Sequence, residues 1–274
     1  MGVEEQGMTG WVEPLARLRQ VLSQDELVLY GQPVRALRDL AAAEPMAELL
    51  VRLHEEEKTL QPPGEFLPVF EHYKMMPELD GWVLRRLVRQ LARAPKAQRF
   101  AINVSRQSLE QGRLPKLFAE VLKGSGVRAA SVLFEIDESD LLERPQDAAA
   151  FASQIKAAGG GVVVDGFGRK AVSFEPLVAL RPDFVKVDGT IIRRLLRNPA
   201  CARKLDAIIH FCRPARIGVI AECVEEEDVL ARLKLIGVGY AQGFGIAVPR
   251  PMGELLLKDS GAVVQKAAIA GAAQ

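Results

Sequence analysis

Carboxylates, an amide and an amine recur at the ends of successive apolar runs in this chain. Glu48 falls within one such run, Asn103 and Ser105 close the next, and Glu135, Asp165, Lys186 with Asp188, and Glu222 follow on four more. A single polar residue at a strand end is ordinarily a satisfied hydrogen-bonder. Acids at so many ends of otherwise apolar strands repel one another unless cations sit among them. Oxygen donors without a His or Cys cluster suit hard divalent ions: magnesium, manganese or calcium. Lys186 alone reads as a solvated lysine, and only its place at a strand end among acids brings it into this group. In Asp165-Gly166-Phe167-Gly168 a carboxylate is followed by a glycine that offers no ligand.

The elements that position these residues follow from periodicity. Short β-rich runs occur at Glu26–Tyr30, Ala47–Leu53, Arg99–Val104, Ser131–Ile136, Gly161–Asp165, Phe184–Val187, Ile217–Ala221 and, weakly, Val238–Ala241. Val162-Val163-Val164 and Ile217 to Ala221 are apolar at nearly every position, as strands covered on both faces should be. Amphipathic helices fill the gaps. Pro77–Leu91 carries core residues at helical spacing, Gln146–Ala158 runs into Gly159-Gly160-Gly161, and Glu225–Ile236 stops at Gly237. Gln61-Pro62-Pro63-Gly64 reads as a loop across the surface. Alternation of this kind predicts a parallel α/β architecture, and eight strands predict a (β/α)8 barrel of the TIM type in a single domain. Active residues of such barrels gather at the carboxyl ends of the strands. The expected organisation is a helical lead-in over 1–21, the barrel over 22–255 and a poorly patterned tail over 256–274.

Composition narrows the function classes. The chain has 274 residues, 49% of them hydrophobic, and 36 basic against 35 acidic residues for a formal net charge of +1. Nothing in that balance is a footprint for a nucleic-acid backbone, so no DNA or RNA duplex partner is expected. Cys201, Cys212 and Cys223 contain no CxxC pair, and with only His54, His72 and His210 beside them zinc spacings are absent. No apolar run approaches the ~20 residues of a membrane span, and Met1–Gly10 lacks the order of a secretion signal. A cytoplasmic protein, or a module of one, is the expectation. Other local patterns have plain readings. Asp165-Gly166-Phe167-Gly168 lacks the Gly-rich loop and His-Arg-Asp segment of a kinase, and Gly159-Gly160-Gly161 lacks the Lys that follows a phosphate loop. Glu226, Glu227 and Asp228 begin a helix, where acids suit the positive end of the dipole. His54 beside Glu55-Glu56-Glu57 reads as an exposed loop histidine.

In order, Gln32-Pro33-Val34, Glu48-Leu49-Leu50-Val51-Arg52, Ile102-Asn103-Val104-Ser105, Phe134-Glu135-Ile136-Asp137-Glu138-Ser139, Val185-Lys186-Val187-Asp188, Ala221-Glu222-Cys223-Val224-Glu225 and Ala241-Gln242-Gly243-Phe244 with Pro249 match one set of motifs. They resemble the EAL-domain cyclic di-GMP phosphodiesterases over residues 22–251. The resemblance implies that Glu48, Asn103, Glu135 and Asp165 are metal ligands for magnesium or manganese, with calcium inhibitory to any turnover. Glu222 would join them or position the attacking water, and Lys186 would orient that water or the scissile phosphate. Gln32 and Arg52 would hold a guanine and a phosphate, Gln242 would line the same cleft, and Glu138 and Glu225 would be supporting acids.

Two departures from the family pattern stand out. Its paired Asp-Asp is Asp165-Gly166 here, and its T/A-G-Y-S-S loop is Arg169-Lys170-Ala171-Val172-Ser173. In two-metal phosphodiester hydrolysis the ions sit roughly 3.5–4 Å apart and share the developing charge. Loss of one carboxylate weakens the second ion most, leaving one ion or none. The expectation is therefore a degenerate member: a cyclic di-GMP-binding domain with impaired or absent phosphodiesterase activity, acting as a signalling receptor. Two alternatives stand beside it: an active phosphodiesterase opening cyclic di-GMP to pGpG, with water or Glu138 completing the second metal, and a non-binding interaction scaffold. A homodimer and an unidentified effector protein are implied partners.

Overall fold

The computed structural model describes residues 11, 13–37, 44–54, 60–61, 63–93, 98–170 and 172–257. The expected tail beyond 257, Glu55–Glu57 and Ala171 lie outside the described residues. Helix α1 (Pro14–Ser23), with Pro14 at its first position, leads into strand β1 (Leu27–Ala36), which is longer than the run read from the sequence. Strands β2 (Met46–His54) and β3 (Leu60–Gln61) follow, then helices α2 (Pro63–His72) and α3 (Met76–Arg93), strand β4 (Arg99–Asn103), and helices α4 (Arg106–Gln111) and α5 (Leu114–Leu122). Next come β5 (Val132–Asp137), α6 (Glu138–Glu143), α7 (Pro145–Ala157), β6 (Gly161–Phe167), α8 (Glu175–Leu180), β7 (Phe184–Val187), α9 (Gly189–Ile192) and α10 (Pro199–Ala215). The chain continues through β8 (Gly218–Ala221), α11 (Glu227–Ile236), β9 (Tyr240–Ala241), β10 (Arg250–Pro251) and α12 (Met252–Leu257).

Pairing runs β1-β2-β4-β5-β6-β7-β8-β9, and β1 closes the circle by pairing with β9 as well as β2. Each of the eight expected strands is present in this closed α/β barrel. One expectation is corrected: the barrel is not all parallel, because β1 runs antiparallel to both neighbours. The link from β1 to β2 is too short for the dozen or more residues that a parallel crossover needs. A second correction concerns Gln61 to Gly64. Pro63 starts α2 instead of lying in a loop, as its fixed φ and missing N–H permit at a first helical turn.

The core has two layers. Outward faces of the strands pack on the helices in one large cluster, within which Phe118, Phe134 and Phe151 meet edge to face. Inside the barrel, Val34, Met46, Ala101, Leu133, Val163, Phe184 and Ile220 form a separate apolar plug with Tyr240 against it. That plug takes one side chain from each of the eight barrel strands, and it sets the floor of the site. Cys201, Cys212 and Cys223 are free thiols. No helix of the described residues is long and apolar enough to cross a membrane.

Candidate functional site

Side chains two residues apart on a strand share a face. One step from each member of the plug toward the mouth therefore gives the next inward layer. From Val34 on the reversed β1 it is Gln32, and from the other seven it is Glu48, Asn103, Glu135, Asp165, Lys186, Glu222 and Gln242. These eight are the candidate metal, catalytic and cleft residues of the sequence, apart from Arg52. Two of these residue pairs are direct register partners: Gln32 with Glu48 across β1 and β2, and Asn103 with Glu135 across β4 and β5.

Their side chains meet at Lys186. Its Nζ lies 2.8 Å from Glu48 Oε2, 3.0 Å from Glu135 Oε2, 2.9 Å from Asp165 Oδ1 and 3.3 Å from Glu222 Oε1, and the residue is 1% exposed. Asn103 Nδ2 donates to Glu48 Oε1 at 3.2 Å. Gln242 Nε2 donates to Glu48 Oε2 at 2.7 Å and to Gln32 Oε1 at 3.2 Å, while Gln32 Nε2 donates to the Ala247 carbonyl. Asn103 thus holds one oxygen of Glu48 while Gln242 and Lys186 share the other.

Charge is unbalanced here. Burial by itself pushes Lys186 down, but attraction from Glu135, Glu48, Asp165 and Glu222 outweighs it and keeps the ammonium well above its ordinary pKa. Burial also pushes Glu48 up; the Lys186 charge and the hydrogen bonds from Lys186, Gln242 and Asn103 reverse this and hold it ionised. Glu135 and Glu222 go the other way. Burial, reinforced by neighbouring carboxylates, raises Glu135 well above the usual range and Glu222 to about 8 against the pull of Lys186.

Whether these residues fit a divalent ion can be judged from one atom. An ammonium has three protons to donate and four carboxylates compete for them. Asp165 Oδ1 touches Lys186 as an ion pair without hydrogen-bond geometry, and is left buried without a hydrogen-bond partner. An orphaned carboxylate oxygen in an all-oxygen donor set with excess negative charge fits a hard cation. Among the described residues no group of acids, histidines or cysteines is already spread around an empty centre, because the carboxylates converge on Lys186.

The other candidates lie around this ring. Arg52, two positions beyond Leu50 on β2, stands over the Tyr30 ring at 5.9 Å and donates to the Val51 carbonyl. Glu138 is buried, and its two oxygens accept from the backbone N–H groups of Gly168 and Lys170 at 2.7 and 3.1 Å. It therefore supports the loop after β6. Glu225 lines a cavity with Arg193, Arg197 and Cys223, the residue that follows Glu222. Asp80, which the sequence reading passed over, accepts from Ser105 N, Ser105 Oγ and Ser108 Oγ at 2.6–3.0 Å and fixes the turn from β4 into α4.

The missing acid sits in a bulge. Between Val164 and Phe167 the register of β6 against β7 slips, and Gly166 has φ +64. A glycine in the left-handed region is characteristic of such bulges. Arg169 folds back over it. Its Nε donates to Asp188 Oδ2 at 2.8 Å and its Nη1 to Asp137 Oδ2 at 3.1 Å. A Cβ placed on Gly166 would lie 2.1 Å from Arg169 Nη2. The sequence marks Arg169 only as the first residue of a changed loop and gives Asp137 no role of its own.

Comparison with known proteins gives the family. Cyclic di-GMP phosphodiesterase PdeF of Escherichia coli strain K12 is 30% identical over 244 residues, covering 88% of this chain and 32% of that protein. Cyclic di-GMP phosphodiesterase PdeB of Shewanella oneidensis is 30% identical over 239 residues, covering 86% and 28%. The chain thus spans about a third of these relatives or less. The crystal structure of the Xanthomonas citri FimX EAL domain in complex with c-diGMP superposes with a TM-score of 0.80 at 25% identity, over 88% of this chain and 94% of that one. A PaMucR phosphodiesterase c-di-GMP complex gives 0.79 at 26% identity, over 88% and 99%. The EAL domain model matches residues 15–249, and the chain belongs to the EAL domain family.

Proposed function

We propose that this chain is a receptor domain for cyclic di-GMP that hydrolyses it slowly or not at all. The observation that carries the reading is the eight-residue polar layer above the barrel plug, complete in its amides, carboxylates and lysine, beside a bulge whose Gly166 carries no acid. Glu48, Asn103, Glu135 and Asp165 would hold a magnesium or manganese ion, with Glu222 beside them. When bound, that ion supplies positive charge to a phosphate. The chain's own contributions are recognition and order. Gln32 and Gln242 offer amide edges to a guanine, and Gln242 Oε1 is a buried acceptor without a partner. Arg52 offers a planar cation to a phosphate.

Similarity to cyclic di-GMP phosphodiesterases PdeF and PdeB and the intact ring favour a second reading, an active phosphodiesterase. Calorimetry with cyclic di-GMP in calcium tests the first: a saturable heat is expected, and its absence overturns ligand binding. Chromatography of the nucleotide after incubation in magnesium or manganese decides between the two. Turnover to pGpG at the roughly 1–1000 per second common for enzymes establishes the phosphodiesterase. A homodimer, an effector protein and a cytoplasmic setting belong to the same proposal, supported by family resemblance.

A further inference from the structure

We infer that Arg169 takes the place of a second divalent ion, so that this chain binds one ion and carries a fixed guanidinium where the other would sit. The inference rests on the ring being a metal site and adds a claim about how many ions it admits.

Three observations carry it. First, the Arg169 guanidinium lies over Gly166, at the strand position next to Asp165, so it occupies the space into which a side chain at 166 would project. Second, it bridges Asp137 and Asp188, which follow Glu135 and Lys186 by two residues on β5 and at the end of β7. These carboxylates flank β6 from both sides. Asp137 and Asp188 each use one oxygen to cap a helix, accepting from Ser139 N and Thr190 N, and turn the other oxygen to the same cation. The guanidinium supplies that charge in a geometry suited to two carboxylates at once. Burial raises Asp188, yet the hydrogen bonds from Arg169 and Thr190 hold it below its ordinary value. Third, the loop that delivers Arg169 is fixed. Glu138 receives the N–H groups of Gly168 and Lys170, the residues on either side, and Arg169 N donates to the Gly166 carbonyl at 3.2 Å.

A consequence follows for repair of the motif. Asp tolerates the left-handed backbone better than most residues, so the φ of +64 at position 166 strains Gly166→Asp less than it would most substitutions. The new carboxylate would meet the guanidinium and pair with it. It would not become a metal ligand until Arg169 is removed.

The test counts ions. Manganese bound per chain is measured by paramagnetic resonance and by anomalous scattering in crystals, with manganese alone and with manganese plus cyclic di-GMP. One ion is expected for the wild type and for Gly166→Asp, and two for Gly166→Asp/Arg169→Ala. Two ions in the wild type, or in Gly166→Asp alone, overturn the inference while leaving the metal ring intact. No ion in the wild type removes the ring as a metal site, and the inference with it. A double variant that folds and still takes one ion also overturns it. The wild-type count and ion position stand without any variant, so a variant that fails to fold does not protect the idea.

Discussion

Replacing Lys186 by methionine removes the ammonium on which Glu48, Glu135, Asp165 and Glu222 converge. Methionine keeps much of the volume, so the cost is electrostatic. Breaking a buried ion pair by removing one partner costs about 3–5 kcal/mol. A domain of this size shifts its melting temperature by about 2–4 °C per kcal/mol, which gives a loss of roughly 6–20 °C in chelator. The carboxylates respond by binding protons. A carboxyl whose folded pKa is raised keeps its stability contribution at low pH and loses it as pH rises through the raised value. Since burial already holds Glu222 near 8, the deficit should widen between pH 6 and pH 9. Manganese at about 100 times its Kd returns about 2.7 kcal/mol by mass action. Melting of both proteins in chelator and in manganese, across that pH range, is the assay. A variant that melts with the wild type in chelator at pH 8 refutes the convergence of the four carboxylates.

Other consequences are checked more simply. Arg52→Ala removes a charged partner for a phosphate at a half-buried position, and loss of about 1.5–3 kcal/mol predicts roughly 10- to 100-fold weaker cyclic di-GMP binding by calorimetry, with the melting temperature nearly unchanged. Manganese binding must displace protons held by Glu135 and Glu222, so affinity is expected to rise from pH 6 to pH 8.5 and the heat to depend on the buffer's ionisation enthalpy. Asp80→Ala strands the buried Ser108 hydroxyl and the Ser105 N–H, and about 2–3 kcal/mol of stability should be lost by urea unfolding.

The barrel was legible because its eight strands are apolar runs closed by polar residues, and period-two alternation carries that pattern directly into a layer. Val163 to Asp165 and Phe184 to Lys186 each move from plug to ring in two residues. What sequence could not reach depends on turns and on long side chains. The reversal of β1 depends on a link too short for a crossover. Arg169 lies on a loop whose path is set by the Gly166 bulge and by Glu138, and neither leaves a periodic trace. Glu138 and Glu225 share their motifs with ring residues, yet strand twist and the start of α6 turn Glu138 to the loop, while Glu225 falls beside Arg193 and Arg197. Motif membership therefore brings eight residues into one layer but does not give the direction of every side chain.

The receptor reading is tested most directly by mixing equimolar protein and cyclic di-GMP in manganese, leaving the mixture for about a minute, time for many turnovers at the roughly 1 per second or faster common for enzymes, and separating the protein on a rapid gel-filtration column. Intact dinucleotide eluting with the protein is the expected result. Recovery of the nucleotide as pGpG, or as intact dinucleotide only in the free fraction, contradicts it.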